Sequence, residues 1–258
     1  MQNPTTWKNH NIYKARQTNQ YMKITDKIKT ELRKASSNEK QQIFLKFFKT
    51  GKGQYGEGDL FIGVTVPEVR KVAKNYYKEI SHVDCTDLLH SKAHEDRLCA
   101  LIMMVYKYER SKEVEKEKIY KKYLTNIKYI NNWDLVDLSC YKIVGEYLLT
   151  QNNYSKLLQL AKSADLWEKR IAVVSTFAFL KDKNPNPTLD IVDILLKDKH
   201  DLIHKAVGWM LREMGKRVGE DVLTEYLDKH ACQMPRTALR YAIERLPEAK
   251  RQFYLKLK

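Results

Sequence analysis

From Thr65 onward, apolar positions recur every three to four residues, and the positions between them are mostly charged. That period marks one buried face of an α-helix and not the alternation of a strand. It predicts helices over 66–80, 84–90, 94–110, 113–129, 133–149, 153–162, 166–181, 187–197, 200–217, 219–229, 235–246 and 248–257. Earlier in the chain, helices are predicted near 20–35 and 38–49. The second of these gathers Ile43, Phe44, Phe47 and Phe48 on one side. No segment alternates as a strand, so the fold class is all-α. Residues 1–17 read as a flexible basic segment, and residues 18–258 as one helical domain.

Local signals support these boundaries. Thr65-Val-Pro67-Glu68 reads as a capping box with proline in the first turn, and Asp165-x-x-Glu168 as a second cap of the same kind. Residues 51–63, GKGQYGEGDLFIG, hold five of the nine glycines. Gly51-x-Gly53-x-x-Gly56 matches a phosphate-loop pattern, but that motif needs a strand before it and a helix directly after it. Here a helix precedes it, and the segment reads as a flexible connection.

The helices also repeat. Arg97, Trp133, Arg170, Lys205 and Arg240 each open an apolar helical run, at spacings of 36, 37, 35 and 35. Two helices per unit at that period predict a HEAT-like solenoid, since the tetratricopeptide pattern is absent. In such a stack, equivalent positions form a stripe across a concave surface.

Composition then changes the picture. The chain carries 47 Lys+Arg against 32 Asp+Glu, a net charge of +15. The first 50 residues alone carry 11 against 3. Such an excess points to a polyanionic partner, nucleic acid first. The four cysteines, Cys85, Cys99, Cys140 and Cys232, form no C-x-x-C pair and read as buried thiols of a reducing cytosol. No secretory signal and no membrane-spanning run is evident, so a cytoplasmic location without membrane contact is expected.

On the stripe, this register gathers Arg97, Lys169, Arg170, Lys205, Arg212, Arg236 and Arg240, with Trp133, Trp167 and Trp209. A basic concave face of this kind would hold duplex DNA by its phosphates, with little sequence readout. Asp137, one turn after Trp133, is the exception, because a carboxylate repels phosphate. It is either an ion-pair partner for Arg170 or a chemical group. Cleavage of an N-glycosidic bond passes through a sugar cation, which a carboxylate stabilises and indole faces attract.

Here "NNWDLVD", "LWEKRIAVV" and "LIHKAVGWMLREMGKR" resemble the AlkD-like DNA alkylation repair glycosylases, a HEAT-like family. "DLFIGVTVPEVRKVAK" and "MPRTALRYAIERL" are similar to further segments of it. The resemblance spans roughly residues 35–258. It implies excision of positively charged N3- and N7-alkylated purines from double-stranded DNA held on a basic concave face. No cofactor is expected, and a monomer is the default for one groove and one duplex. It implies Trp133 and Asp137 as the catalytic pair, Arg170 as the arginine supporting that aspartate, and Trp209 as the second tryptophan. Lys169, Lys205, Arg212, Arg236, Arg240 and Arg97 are then DNA contacts. Asp134 reads as a first-turn acid favoured by the helix dipole. The resemblance further implies that the lesion stays stacked and is attacked from the sugar side. A purine already charged leaves as a neutral base and needs no general acid. Glu168-Lys169 departs from the family pattern, where more basic residues stand before the arginine.

Other motifs have plainer readings. His200-Asp-Leu-Ile-His204 resembles a zincin pair, but lacks its glutamate and a third ligand. Trp167, just inside a cap, reads as core before cage. Two other function classes stand beside the glycosylase. One is a non-catalytic DNA-binding solenoid for damaged or branched DNA. The other is a protein-interaction scaffold, the usual task of such repeats.

Overall fold

A computed structural model describes residues 22–257. The expected flexible segment 1–17 lies outside the described residues. The described residues are helical throughout, joined by turns, with one isolated parallel bridge between Leu60 and Ala93 and no strand. The chain divides into two compact units between Met103 and Met104, within one helix.

The N-terminal unit contains α1 (Ile24–Lys34), α2 (Asn38–Phe47), α3 (Val66–Tyr76), α4 (His82–Leu89) and the first turns of α5 (His94–Arg110). Helix α1 packs on α3 and α4 through Ile28 and Leu32, both fully buried. Thr65 takes the extended cap conformation, but its side chain makes no cap hydrogen bond. Proline in the first turn therefore sets this helix start, without the expected capping box.

The glycine-rich connection differs from the flexible loop expected of it. Glu95 at the start of α5 accepts hydrogen bonds from the backbone N–H groups of Ile62 (2.9 Å), Gly63 (2.8 Å) and Val64 (3.1 Å). Asp59 accepts from Arg97 Nη2 at 2.7 Å and lies 2.7 Å from His94 Nδ1. Burial alone would raise the Asp59 carboxyl, yet His94 and Arg97 hold it down at about 2. Gly63 sits at φ +78° with the Ser37 carbonyl where a Cβ would stand. Only glycine fits there. Composition shows the glycines but not their tethers: Glu95, His94 and Arg97 lie 31 to 38 positions from the residues they hold.

The C-terminal unit contains the rest of α5, α6 (Glu113–Thr125), α7 (Trp133–Cys140), α8 (Glu146–Thr150), α9 (Ser155–Ala161), α10 (Leu166–Ser175), α11 (Phe177–Lys181), α12 (Asn186–Leu195), α13 (Asp201–Arg217), α14 (Glu220–His230), α15 (Arg236–Ala242) and α16 (Glu248–Lys256). Two layers run through it. Helix α10 packs on α7 and on α13, and α13 packs on α15; behind them, α9 packs on α12. Trp133, Arg170, Lys205 and Arg240 therefore fall on the successive helices α7, α10, α13 and α15 of one layer, as the period of about 36 predicts.

Two predicted helices are interrupted, and the interruptions meet. The segment 133–149 is α7, then a π turn at Tyr141–Gly145, then α8. The segment 166–181 breaks at Thr176, whose hydroxyl donates to the Val173 carbonyl at 2.7 Å. Such back-bonding bends helices. Gly145 faces the break, and a Cβ there would collide with the Ser175 carbonyl and crowd Ala178 Cβ at 2.9 Å. Gly145→Ala should therefore cost about 1–3 kcal/mol and lower Tm by several degrees in a thermal melt. An unchanged Tm would show that the two helices part there without cost.

Candidate active site

Asn132 is fully buried and caps α7, its Oδ1 accepting from the Trp133 N–H at 2.8 Å. This cap fixes where α7 begins, and so the direction in which Trp133 and Asp137, one turn later, leave the helix. Both are partly exposed. Asp165 does the same for α10, accepting from the Trp167 and Glu168 N–H groups at 2.8 and 2.9 Å. That cap positions Arg170 in the second turn.

Arg170 then joins three helices. Its Nε donates to Asp137 Oδ1 at 2.8 Å and its Nη2 to Oδ2 at 2.7 Å, a two-pronged ion pair. Its Nη1 donates to the Leu202 carbonyl at 2.6 Å, in the first turn of α13. The arginine is 5% exposed. The Asp137 side chain keeps 19% of its surface. Burial pushes the Asp137 carboxyl above the usual carboxylate value, while the Arg170 guanidinium opposes that rise. An aspartate holds about four lone-pair positions, and Arg170 uses two. The carboxylate can therefore still accept from another group on its open side.

The remaining predicted residues are placed as follows. Trp209, on α13, is partly exposed and its ring lies 6.5 Å from that of Phe177. Lys169 donates to Asp198 at 2.8 Å, and Lys205 pairs with Asp201 at 2.8 Å. Burial raises the Asp198 carboxyl, but the bonds from Lys169 and the His200 N–H outweigh it and leave it lowered. Arg212 pairs with Glu244. Arg236 is exposed and donates to the Leu255 carbonyl at 2.8 Å. Arg240 is exposed.

Arg97 departs from its expected role on the DNA-facing stripe. It lies in the N-terminal unit, 5% exposed, and is spent on Asp59 and on the Ser91 and Lys92 carbonyls at 3.2 Å each. A guanidinium engaged this way braces a loop and offers no open surface to phosphate. Trp167 is buried at 8% exposure, a core residue. His200 caps α13, its Nδ1 accepting from the Leu202 N–H at 3.1 Å, and His204 Nε2 lies 2.5 Å from the Asp198 carbonyl oxygen. Both histidines thus have structural partners.

The sequence reading missed three participants. Asn132 was visible as an asparagine just before a helix start, a strong cap signal. The Leu202 carbonyl and Asp198 left no signal, because they reach Arg170 and Lys169 only through the packing of successive helices.

Residues 28–246 match the family model described as DNA alkylation repair enzyme. A solved structure named as a predicted DNA alkylation repair enzyme from Enterococcus faecalis shares the fold, with a TM-score of 0.64 at 16% identity. The match covers 83% of this chain and 97% of that one. No curated protein matches. With the family model covering most of its length, the chain belongs to the DNA alkylation repair enzyme family.

Proposed function

We propose that the protein is a DNA glycosylase that removes positively charged N3- and N7-alkylated purines from duplex DNA. One observation carries this reading. A partly exposed carboxylate is held in a two-pronged grip by a buried arginine, one turn after a tryptophan. In the reaction, the bond from C1′ to the purine nitrogen breaks and its electron pair leaves with the base. The base departs neutral and the sugar carries the positive charge. Asp137 stabilises that charge and aligns water toward C1′, while Trp133 and Trp209 add their electron-rich faces. Water adds to C1′ and loses a proton, leaving an abasic site. Arg170 fixes the carboxylate in direction. Lys169, Lys205, Arg212, Arg236 and Arg240 are the proposed phosphate contacts. Working from the sugar side, the enzyme acts as a monomer and has no need to extrude the damaged base.

A second reading is favoured by the same pair. Both Asp137 oxygens are engaged by Arg170, as they would be in a purely structural tie. The protein would then bind damaged or branched DNA without cutting the glycosidic bond.

Asp137→Asn separates the two. Incubated with duplex DNA pre-treated with a methylating agent, the wild type should release 3-methyladenine and 7-methylguanine. The variant should lose about a hundredfold or more of that rate while still binding DNA. No release by the wild type, with DNA still bound, would leave the structural tie as the reading.

Arg170 yields a pH prediction. Asp137 must be ionised to act, so release falls as pH drops through its raised value. Removing the guanidinium removes the main opposition to burial. Arg170→Gln should therefore move the acid limb of the rate profile to higher pH. A limb that stays in place would show that Asp137 does not set it. Because the change leaves a largely buried carboxylate unpaired, stability should also fall, by on the order of 3 kcal/mol, measurable by urea unfolding.

A further inference from the structure

Immediately after α7, the helical ladder widens into the π turn Tyr141–Gly145. Single π turns inside α-helices occur often at functional sites. In the C-terminal unit, this turn borders a cleft of about 540 Å³, within the range of roughly 300–1,000 Å³ usual for ligand sites. Tyr141 and Phe177 line it, their rings 5.1 Å apart and nearly perpendicular. Phe177 in turn neighbours Trp209. The cleft lies beside the helices that carry Asp137, Arg170 and Trp209: Tyr141 directly follows α7, and Phe177 opens α11 after the Thr176 break.

Two features have no account in the packing of the unit. Tyr108 lines the cleft, is 4% exposed, and its hydroxyl has no hydrogen-bond partner among the described residues. Buried polar groups are seldom left so. Arg217 sits over Phe177, its Cζ 4.4 Å from the ring centroid, and its Nε is held by Glu213 at 3.0 Å. Its two terminal nitrogens make no hydrogen bond among the described residues. A guanidinium set over a ring and held at Nε presents a pre-set fork, the geometry that suits phosphate. Lys142 and Lys181 stand beside it, in exchangeable ion pairs with Glu109 and Glu146.

We propose that this cleft is a nucleotide subsite for bound DNA. Arg217, with Lys142 and Lys181, takes one backbone phosphate. The base attached to it leaves the stack and lies against Phe177 and Tyr141, with the Tyr108 hydroxyl at its polar edge. This rests on the DNA reading above and names a second place where the same face grips its substrate.

The test uses the full chain and two duplexes of the same sequence, one fully paired and one with a single unpaired thymidine. The Kd of each is measured at one salt concentration. The unpaired nucleotide needs no unstacking, so that duplex should bind about tenfold tighter. Tyr108→Phe should cut the preference without lowering Tm, because it removes a hydroxyl that no described residue uses. Lys142→Glu with Lys181→Glu should abolish it. Equal affinities for the two duplexes, or a preference that survives these variants, would overturn the proposal. Thymidine monophosphate is added as a competitor. If it binds the cleft while the duplexes remain equal, the site serves a free nucleotide and the DNA assignment is lost. Base release from methylated duplex, run on the same preparations, tells a failure of the glycosylase reading from a failure of the subsite.

Discussion

The Arg170 fork is the constraint on which the site depends. An aspartate on a layer rich in lysine and arginine would repel any phosphate brought near it. Desolvated and alone, it would also be driven toward protonation. Arg170 solves both problems at once by pairing both oxygens, and its third contact reaches the Leu202 carbonyl on the next helix. One side chain thus links α7, α10 and α13, three successive members of a layer. The pair exists only if those helices stack in register. A shift of one helix by a single turn would separate the guanidinium from either the carboxylate or the carbonyl by about 5 Å.

The other basic residues follow a related pattern. Lys205 has a carboxylate partner on its own helix, and Lys169 and Arg212 have theirs in the turns that follow α12 and α15. The chain's net charge of +15 therefore overstates how much bare positive charge this layer presents. Of these pairs, only Lys205–Asp201 is exposed on both sides, and exposed pairs are worth little and exchange partners readily. Under the proposed function, a DNA phosphate replaces the Asp201 carboxylate at Lys205 at small cost. Arg240 and Arg236, exposed and without a carboxylate partner among the described residues, sit where phosphate would meet least competition.

Much of the fold was legible because its signal is local. Helical period, the Asp165 cap and the 35- to 37-residue spacing all lie within short windows of sequence, and they placed Trp133, Arg170, Lys205 and Arg240 on consecutive helices of one layer. The site was legible in part for the same reason: four residues of spacing put Trp133 and Asp137 on one face, and one repeat of spacing put Arg170 within reach. What failed was non-local. The acids that bind Arg97 and tether residues 59–64 lie 31 to 38 positions away from their partners, so Arg97 looked like a groove cation. The π turn and the Thr176 break also left no period to detect. Gly145 lets the two interrupted helices approach there, a property of the pair and of neither segment alone.

The same geometry limits what the proposed chemistry can accept. Arg170 cannot donate a proton, because a guanidinium is effectively always charged. Asp137, accepting two N–H bonds from it, is held in the acceptor state. Protonating Asp137 would turn one acceptor toward a donor and break half of the fork. The site thus contains a group able to stabilise a sugar cation and to orient water by accepting its hydrogen bond, but the Arg170–Asp137 pair offers no acid to protonate a leaving base. A neutral purine leaves poorly without such an acid, whereas an N3- or N7-alkylated purine brings its own positive charge. In the proposed reaction, selectivity for cationic lesions then follows from the pairing that holds Asp137 in place, with no pocket shaped to the damaged base.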